Sequence, residues 1–600
     1  MGTEIYRRQD APTEATWNKE GLFADWSAWE VGLAAAKDAL GQIQGDRAAA
    51  LKSPQALAQW LEQGLALHKQ LNPLSVYANL AANVDSGDMQ AKGFCGQIAG
   101  LWSQFGSTIG PFEAELAGLG DTLTDWIEQA PELDRYRHYF DNLLRLRQHM
   151  RSPEVEEILN AFSEPLGQVA NTSSELMNTD LKFADSENRA GQRFPTLQST
   201  ITPTGIQDAD RQRRRTAWEH YADGYQSMIN TFASNYIAYA KAEVLKAKAR
   251  GFTSVLEQRL APSNLPVEVF HTLMQACREN AGIWHRYWEV KARALGVDQL
   301  HPYDIWAPVV AEPPEVDYRQ GADWIVDSAR PLGSEYVDIL TRGVGPERWV
   351  DWAPNAGKRQ GAFCASGPVV FTSYSGSLVD LSVLAHELGH AMHGYYRDRE
   401  QPPIYAYHLG AGSALGETPS NFAQALLRLH LRREKGDDAP FQLALIDEAM
   451  FNFHRYFFQM PNLAQFELEF FERIWDGEAV NAPILNDIMQ GIYARGYGDT
   501  MADDPARTAT TWAQFPHLFM PFYTFQYAVG ISAAHGMADR IDGGVPGAAD
   551  DFIALLKAGS SLYPMELFKL GGVDMTGPEP IEKAFAVLAG LVDQMEALVS

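Results

Sequence analysis

The chain has 600 residues, 46 % of them hydrophobic and 21 % charged, with 49 Lys and Arg against 76 Asp and Glu for a net charge of −27. That length exceeds a single hydrophobic core, so two or more subdomains are expected, and the balance is that of an ordinary globular protein. So acidic a surface repels phosphates, which argues against nucleic acid or an anionic membrane as partner.

Apolar residues recur at three- and four-residue spacing through residues 28–43, 57–71, 94–105, 133–150 and 155–176, and each run reads as a helix. Residues 183–204 are polar, contain Pro195 and Pro203, and break the rhythm; a boundary is placed there. An N-terminal helical domain over 1–200 and a catalytic domain over 201–600 are therefore expected. Helical patterns resume at 211–249, 268–295 and 322–341, with a proline-bearing connector at 301–313. The basic run at 211–215 reads as a solvated helix face. Residues 361–374 carry the strongest strand signal, two β-prone runs flanking the turn dipeptide Gly367-Pro368. Helices follow at 381–396, 419–433, 441–458, 464–475 and 516–540. The fold class is mainly α with a small sheet just before the 381–396 helix.

That helix holds His386-Glu387-Leu388-Gly389-His390. Residues four apart share a helix face, so two imidazoles so spaced can ligate one Zn²⁺. Glu387 points about 100° round the helix, poorly placed as a ligand but able to reach a water beside the metal. This is the layout of a zinc hydrolase whose Glu is the general base. Two merely structural histidines are the bland alternative, and the context weighs against it. Ser377 and Asp380 are good helix starters, and Leu381, Leu384, Leu388 and Met392 form an apolar stripe. Gly389 inside a helix costs about 0.5–1 kcal/mol relative to Ala, which points to a close approach there.

A catalytic zinc takes three protein ligands. His393 and Tyr396 stand where the metzincin pattern requires Gly and His, which excludes that class. The downstream candidates are Glu400, in a charged run that reads as a solvated loop, and Glu417, which opens an amphipathic helix with Pro419 near its first turn. Glu417 is the choice.

With Glu417-Thr418-Pro419-Ser420 added, the pattern resembles the thimet oligopeptidase and oligoendopeptidase F family of zinc metallopeptidases, and the oligoendopeptidase F branch most. Gly357-Lys358-Arg359-Gln360-Gly361-Ala362-Phe363-Cys364 and residues 371–380 are similar to family segments, as are residues 516–530. The resemblance implies two helical lobes flanking a deep substrate channel, one Zn²⁺ per chain, and peptide substrates. It also implies roles for His517, Tyr523 and Tyr527 as donors to the oxyanion. Tyr523 and Tyr527, four apart, are expected on one helix face. The family usually carries a carboxylate seven residues after the ligand Glu, where this chain has Gln424. His393, His408 and His430 read as structural or surface residues without a role.

The expected activity is zinc-dependent cleavage of internal bonds in short peptides. A strand beside the zinc helix can hold an extended peptide by main-chain hydrogen bonds. An inactive peptide-binding relative and a zinc carboxypeptidase are the alternatives; intact His386, Glu387, His390 and Glu417 argue against the first. No Gly-x-Ser-x-Gly elbow supports a serine hydrolase. Cys95, Cys277 and Cys364 are too few and too scattered for a disulfide framework. With a polar N-terminus and no run of 18 apolar residues, a cytoplasmic protein is expected.

Overall fold

The computed structural model describes residues 5–152, 155–156, 158–159, 162–198, 201–407 and 414–599. Long helices dominate, and the strands among the described residues form one two-stranded and one three-stranded sheet. No helix among them is long and apolar enough to cross a membrane. Two compact units emerge, each assembled from three stretches of chain. The first comprises Met1–Glu157, Glu315–His430 and Met537–Gly572; the second comprises Ile158–Pro314, Leu431–Gly536 and Val573–Ser600. This spatial grouping differs in kind from a division in chain order near residue 200.

The first unit begins with helices Trp26–Ala50, Pro54–Val84 and Met89–Gly118. Asp25, Ser53 and Asp88 start them, each side chain accepting the N–H three residues on. Their core is built on Trp29, Trp60, Leu67, Leu71 and Phe112. The two indole N–H groups are satisfied by the Leu74 and Ile43 carbonyls. The same cluster takes in Val369 and Phe371, so one apolar core joins these helices to the sheet that precedes the His-Glu-x-x-His helix.

In that sheet Phe363–Ala365 and Val369–Phe371 form the expected hairpin, with Phe363 opposite Phe371 and Cys364 opposite Val370. Gly367 makes the turn at φ +81°. A third strand, Val350–Asp351, pairs in parallel with Val369–Phe371 and leaves Phe363–Ala365 at the edge. Periodicity could not reveal a two-residue strand. A buried charge cluster holds it. Asp351 is fully buried and accepts from Arg8, from Lys358 and from the Trp17 backbone. Lys358 also donates to the Ala353 and Thr372 carbonyls. Lys358 thus serves the sheet's architecture.

The second unit corrects several expectations. The 211–249 pattern is two helices, Arg211–Ser227 and Ile229–Arg250. Its basic run is not simply a solvated face. Arg214 is buried, and Arg211 and Arg214 both bind the fully buried Asp304. The polar 183–204 stretch contains a short hairpin pairing Ser186–Glu187 with Arg193–Phe194. The 516–540 pattern does not form one helix. A 3-10 turn, Pro516–Phe519, is followed by irregular chain, and the helix is Phe525–Asp542. Pro521 is the cause: the residue before a proline is driven from the α region, and Met520 sits at φ −124°, ψ 81°. Tyr523 therefore precedes the helix that carries Tyr527, and the two do not share a helix face.

Candidate active site

The helix bearing the motif runs Leu378–Glu400 and is started by a reciprocal pair. Ser377 Oγ accepts the Asp380 N–H at 3.0 Å, and Asp380 accepts the Ser377 N–H at 3.2 Å. His386 and His390 project from one face, ring centroids 4.9 Å apart. Glu417 immediately precedes the Thr418–Glu434 helix, which packs against them at Gly389. A Cβ at residue 389 would lie 2.5 Å from the Pro419 carbonyl oxygen and 2.7 Å from Ser420 Cα. Only glycine admits that approach, and it brings Glu417 onto the histidines.

Glu417 Oε2 lies 3.3 Å from His386 Nε2 and 3.6 Å from His390 Nε2. Zinc bonds of about 2.0–2.2 Å at tetrahedral angles separate neighbouring ligand atoms by about 3.3–3.6 Å. The donor set therefore fits zinc in both chemistry and spacing. It is also the one cluster of three potential ligands found among the described residues. Glu400, the rejected candidate, ends the same helix ten residues beyond His390, about 15 Å along the axis.

Two of the three ligands are themselves held from outside the set. His386 Nδ1 meets Gln424 Oε1 at 3.1 Å, and Gln424 donates to Ser382 Oγ at 2.8 Å. That second bond fixes the amide with its oxygen toward the imidazole, which puts the proton on Nδ1 and leaves Nε2 to a metal. Gln424 supplies as a neutral acceptor what a carboxylate would supply with charge. Ser420 Oγ lies 3.3 Å from Glu417 Oε2. Burial works against ionised Glu417, but the two imidazoles outweigh it and hold the carboxyl far below the usual range.

Glu387 is 7 % exposed. Burial raises its proton affinity, against the opposing pull of His386, His390 and the nearby Cys364 backbone. Cys364 belongs to the edge strand Phe363–Ala365, which lies against the motif helix. The Glu387 carboxylate is thus desolvated and prone to take up a proton, as a general base requires.

Residues 206–587 match peptidase family M3, and residues 120–183 match the family described as Oligopeptidase F. The chain belongs to peptidase family M3. It is a metalloendopeptidase of that family. Oligopeptidase PepF of Bacillus subtilis is 28 % identical over 99 % of this chain and 88 % of its own length. Group B oligopeptidase PepB of Streptococcus agalactiae is 26 % identical over 97 % of each. A solved structure from Chlamydophila abortus superposes with a TM-score of 0.86 at 27 % identity, covering 99 % of this chain and all of that one. Oligoendopeptidase-F from Enterococcus faecium does so with a TM-score of 0.75 at 25 % identity, covering 95 % and 98 %.

The other site residues suggested by the M3 resemblance lie in the second unit, where they meet one another. The His517 ring is 6.5 Å from Tyr523 and 6.3 Å from Tyr527, and the tyrosines are 5.3 Å apart. Tyr456 stacks on Tyr527 at 5.0 Å, a neighbour that periodicity had no means of assigning. His517 Nδ1 is buried and has no hydrogen-bond partner among the described residues. Burial, helped by the Arg455 charge, lowers the His517 imidazole to about 4, so it is neutral at physiological pH. Burial likewise holds His393 neutral, at about 3. His430 is half-buried in the Thr418–Glu434 helix, and His408 lies outside the described residues.

Proposed function

We propose that the chain is a zinc-dependent endopeptidase that hydrolyses internal bonds of short, extended peptides. The observation that carries this reading is the convergence of His386, His390 and Glu417 at zinc spacing with the desolvated Glu387 beside them. The relatives named oligopeptidases support a peptide substrate. Bound by these three residues, zinc would supply an acidified water and a polarising charge for the scissile carbonyl. Glu387 takes the proton of the attacking water and returns it to the leaving amine. Burial of Glu387 keeps competing solvent away. The Phe363–Ala365 strand offers an unpaired edge to a substrate backbone, which selects extended chain rather than side-chain identity. His517, Tyr523 and Tyr527 donate to the oxyanion that develops on the carbonyl oxygen. Their mutual contact and the neutral His517, whose buried Nδ1 has no hydrogen-bond partner among the described residues, support that role. Three unpaired cysteines are in keeping with a cytoplasmic location.

The test joins metal content to product mapping. Wild-type protein should hold one zinc per chain, and Glu417→Ala should lose most of it. Glu387→Gln should keep the metal and lose about 10²–10⁴-fold in turnover. A peptide blocked at both ends should yield internal fragments. Retention of zinc by Glu417→Ala would refute the ligand set; an enzyme that trims the unblocked peptide from one end and leaves the blocked one uncut would be an exopeptidase.

A further inference from the structure

His517 lies in the 3-10 turn Pro516–Phe519 and Tyr523 on the irregular chain that follows it, ahead of the helix Phe525–Asp542. Phe522 sits at φ +55°, in the left-handed region, and is 1 % exposed. A bulky residue adopts that conformation only where its surroundings over-determine it. Three helices supply the restraint. Tyr239, on Ile229–Arg250, donates its hydroxyl to the Phe519 carbonyl at 2.6 Å. Arg259, on Val255–Leu260, donates Nε to the Pro521 carbonyl at 3.3 Å. Glu467, on Met460–Trp475, accepts the Phe522 N–H on Oε1 at 2.9 Å and the Thr524 hydroxyl on Oε2 at 3.3 Å.

Glu467 is the unexpected member. It is fully buried in a helix face otherwise made of Leu463, Phe466, Phe470 and Phe471. Burying a carboxyl is costly unless its oxygens are hydrogen-bonded, and both bonds described here go to this one segment. Burial raises its pKa to about 8, while the two hydrogen bonds and Arg259 oppose that rise. An apolar residue would fill the same place at no electrostatic cost, so what the carboxyl adds is the hold on residues 522 and 524.

We propose that Glu467 is a positioning residue, which locks the backbone at Phe522 and Thr524 so that His517 and Tyr523 are presented to substrate in their working arrangement. The inference rests on the oxyanion role given above to His517, Tyr523 and Tyr527. It assigns Glu467 no contact with substrate.

The experiment compares Glu467→Leu, Glu467→Gln and Thr524→Val in the zinc-loaded enzyme, alone and combined with Tyr523→Phe. Glu467→Leu leaves the Phe522 N–H without its acceptor. It should lower kcat about 10–100-fold, the scale of an ångström-sized misplacement, with KM within about twofold and zinc content unchanged. Glu467→Gln keeps an acceptor for Phe522 and a polar partner for Thr524, and should restore kcat to within about threefold of wild type. Thr524→Val should fall between them, and it decides the matter with Glu467→Gln if Glu467→Leu does not fold. Combined with Tyr523→Phe, Glu467→Leu should cost less than the product of the two separate losses, because both act through Tyr523. Equal kcat in Glu467→Leu and wild type, a fall in the Gln variant as large as in the Leu variant, or full multiplicativity with Tyr523→Phe would each overturn the proposal alone. If Tyr523→Phe and His517→Ala both leave kcat unchanged, the oxyanion reading itself falls, and this inference with it.

Discussion

Gly389 and Gln424 show how two side chains outside the ligand set control the metal site. At Gly389 a methyl group would strike the Pro419 carbonyl at 2.5 Å, and neither rigid helix can yield locally. Gly389→Ala should thus lower zinc affinity while raising helix propensity by about 0.5–1 kcal/mol, a trade read by competition with a chelator. An unchanged zinc affinity would mean that the two helices part without moving Glu417. Gln424→Leu removes the acceptor at His386 Nδ1 and should weaken zinc binding about 10–100-fold, the usual cost of losing such a partner. His517 offers a pH measurement. Its folded pKa of about 4 lies below the ordinary histidine value, so the folded protein binds fewer protons than the unfolded chain between the two. Its contribution to stability is present above about pH 6.5 and is lost as pH falls through 6.5 toward 4. Ring-proton resonances assigned with the His517→Ala variant should titrate near 4; a midpoint near 6.5 would show a solvated imidazole.

Among the elements, the small sheet links the charge cluster to the chemistry. Arg8 and Lys358 grip Asp351, Val350–Asp351 pairs with Val369–Phe371, and that strand carries the edge strand, which lies against the helix bearing Glu387. Removing one partner of a buried ion pair strands the other charge, which costs about 3–5 kcal/mol. Lys358→Met should therefore destabilise the first unit by that order in denaturant unfolding, and it should reduce activity more than zinc content. A Lys358→Met protein as stable as wild type would show that Arg8 alone balances Asp351.

For the whole molecule, the form of the substrate is the property to test. An edge strand pairs only with a chain whose backbone groups are free, and a folded protein has already used its own. One cleavage sequence placed in a short peptide, in a long unstructured peptide and in a rigid loop of a folded host should be cut in that order of kcat/KM, with no cleavage of the folded host. Equal values across all three would rule out a requirement for short, extended substrates.

The local features of this protein were legible from its residues because each rests on a short-range rule. The spacing of His386 and His390 is set by helix pitch, and Glu417 stood out because Pro419 fits only near a helix start. Gly367-Pro368 announced its hairpin, and Gly389 its close approach. Elements shorter than a period escaped, as Val350–Asp351 did, and so did the break at Met520, where Pro521 overrode an apolar pattern running through it. What only the tertiary structure decided are contacts between residues far apart in the chain: Gln424 turned toward His386 by Ser382, Arg214 drawn inward to Asp304, and Glu467 buried beneath Phe522. In the sequence these are ordinary polar residues on helices. Their partners are chosen by how the helices pack, and periodicity carries no record of which carbonyl or amide will lie opposite once they do.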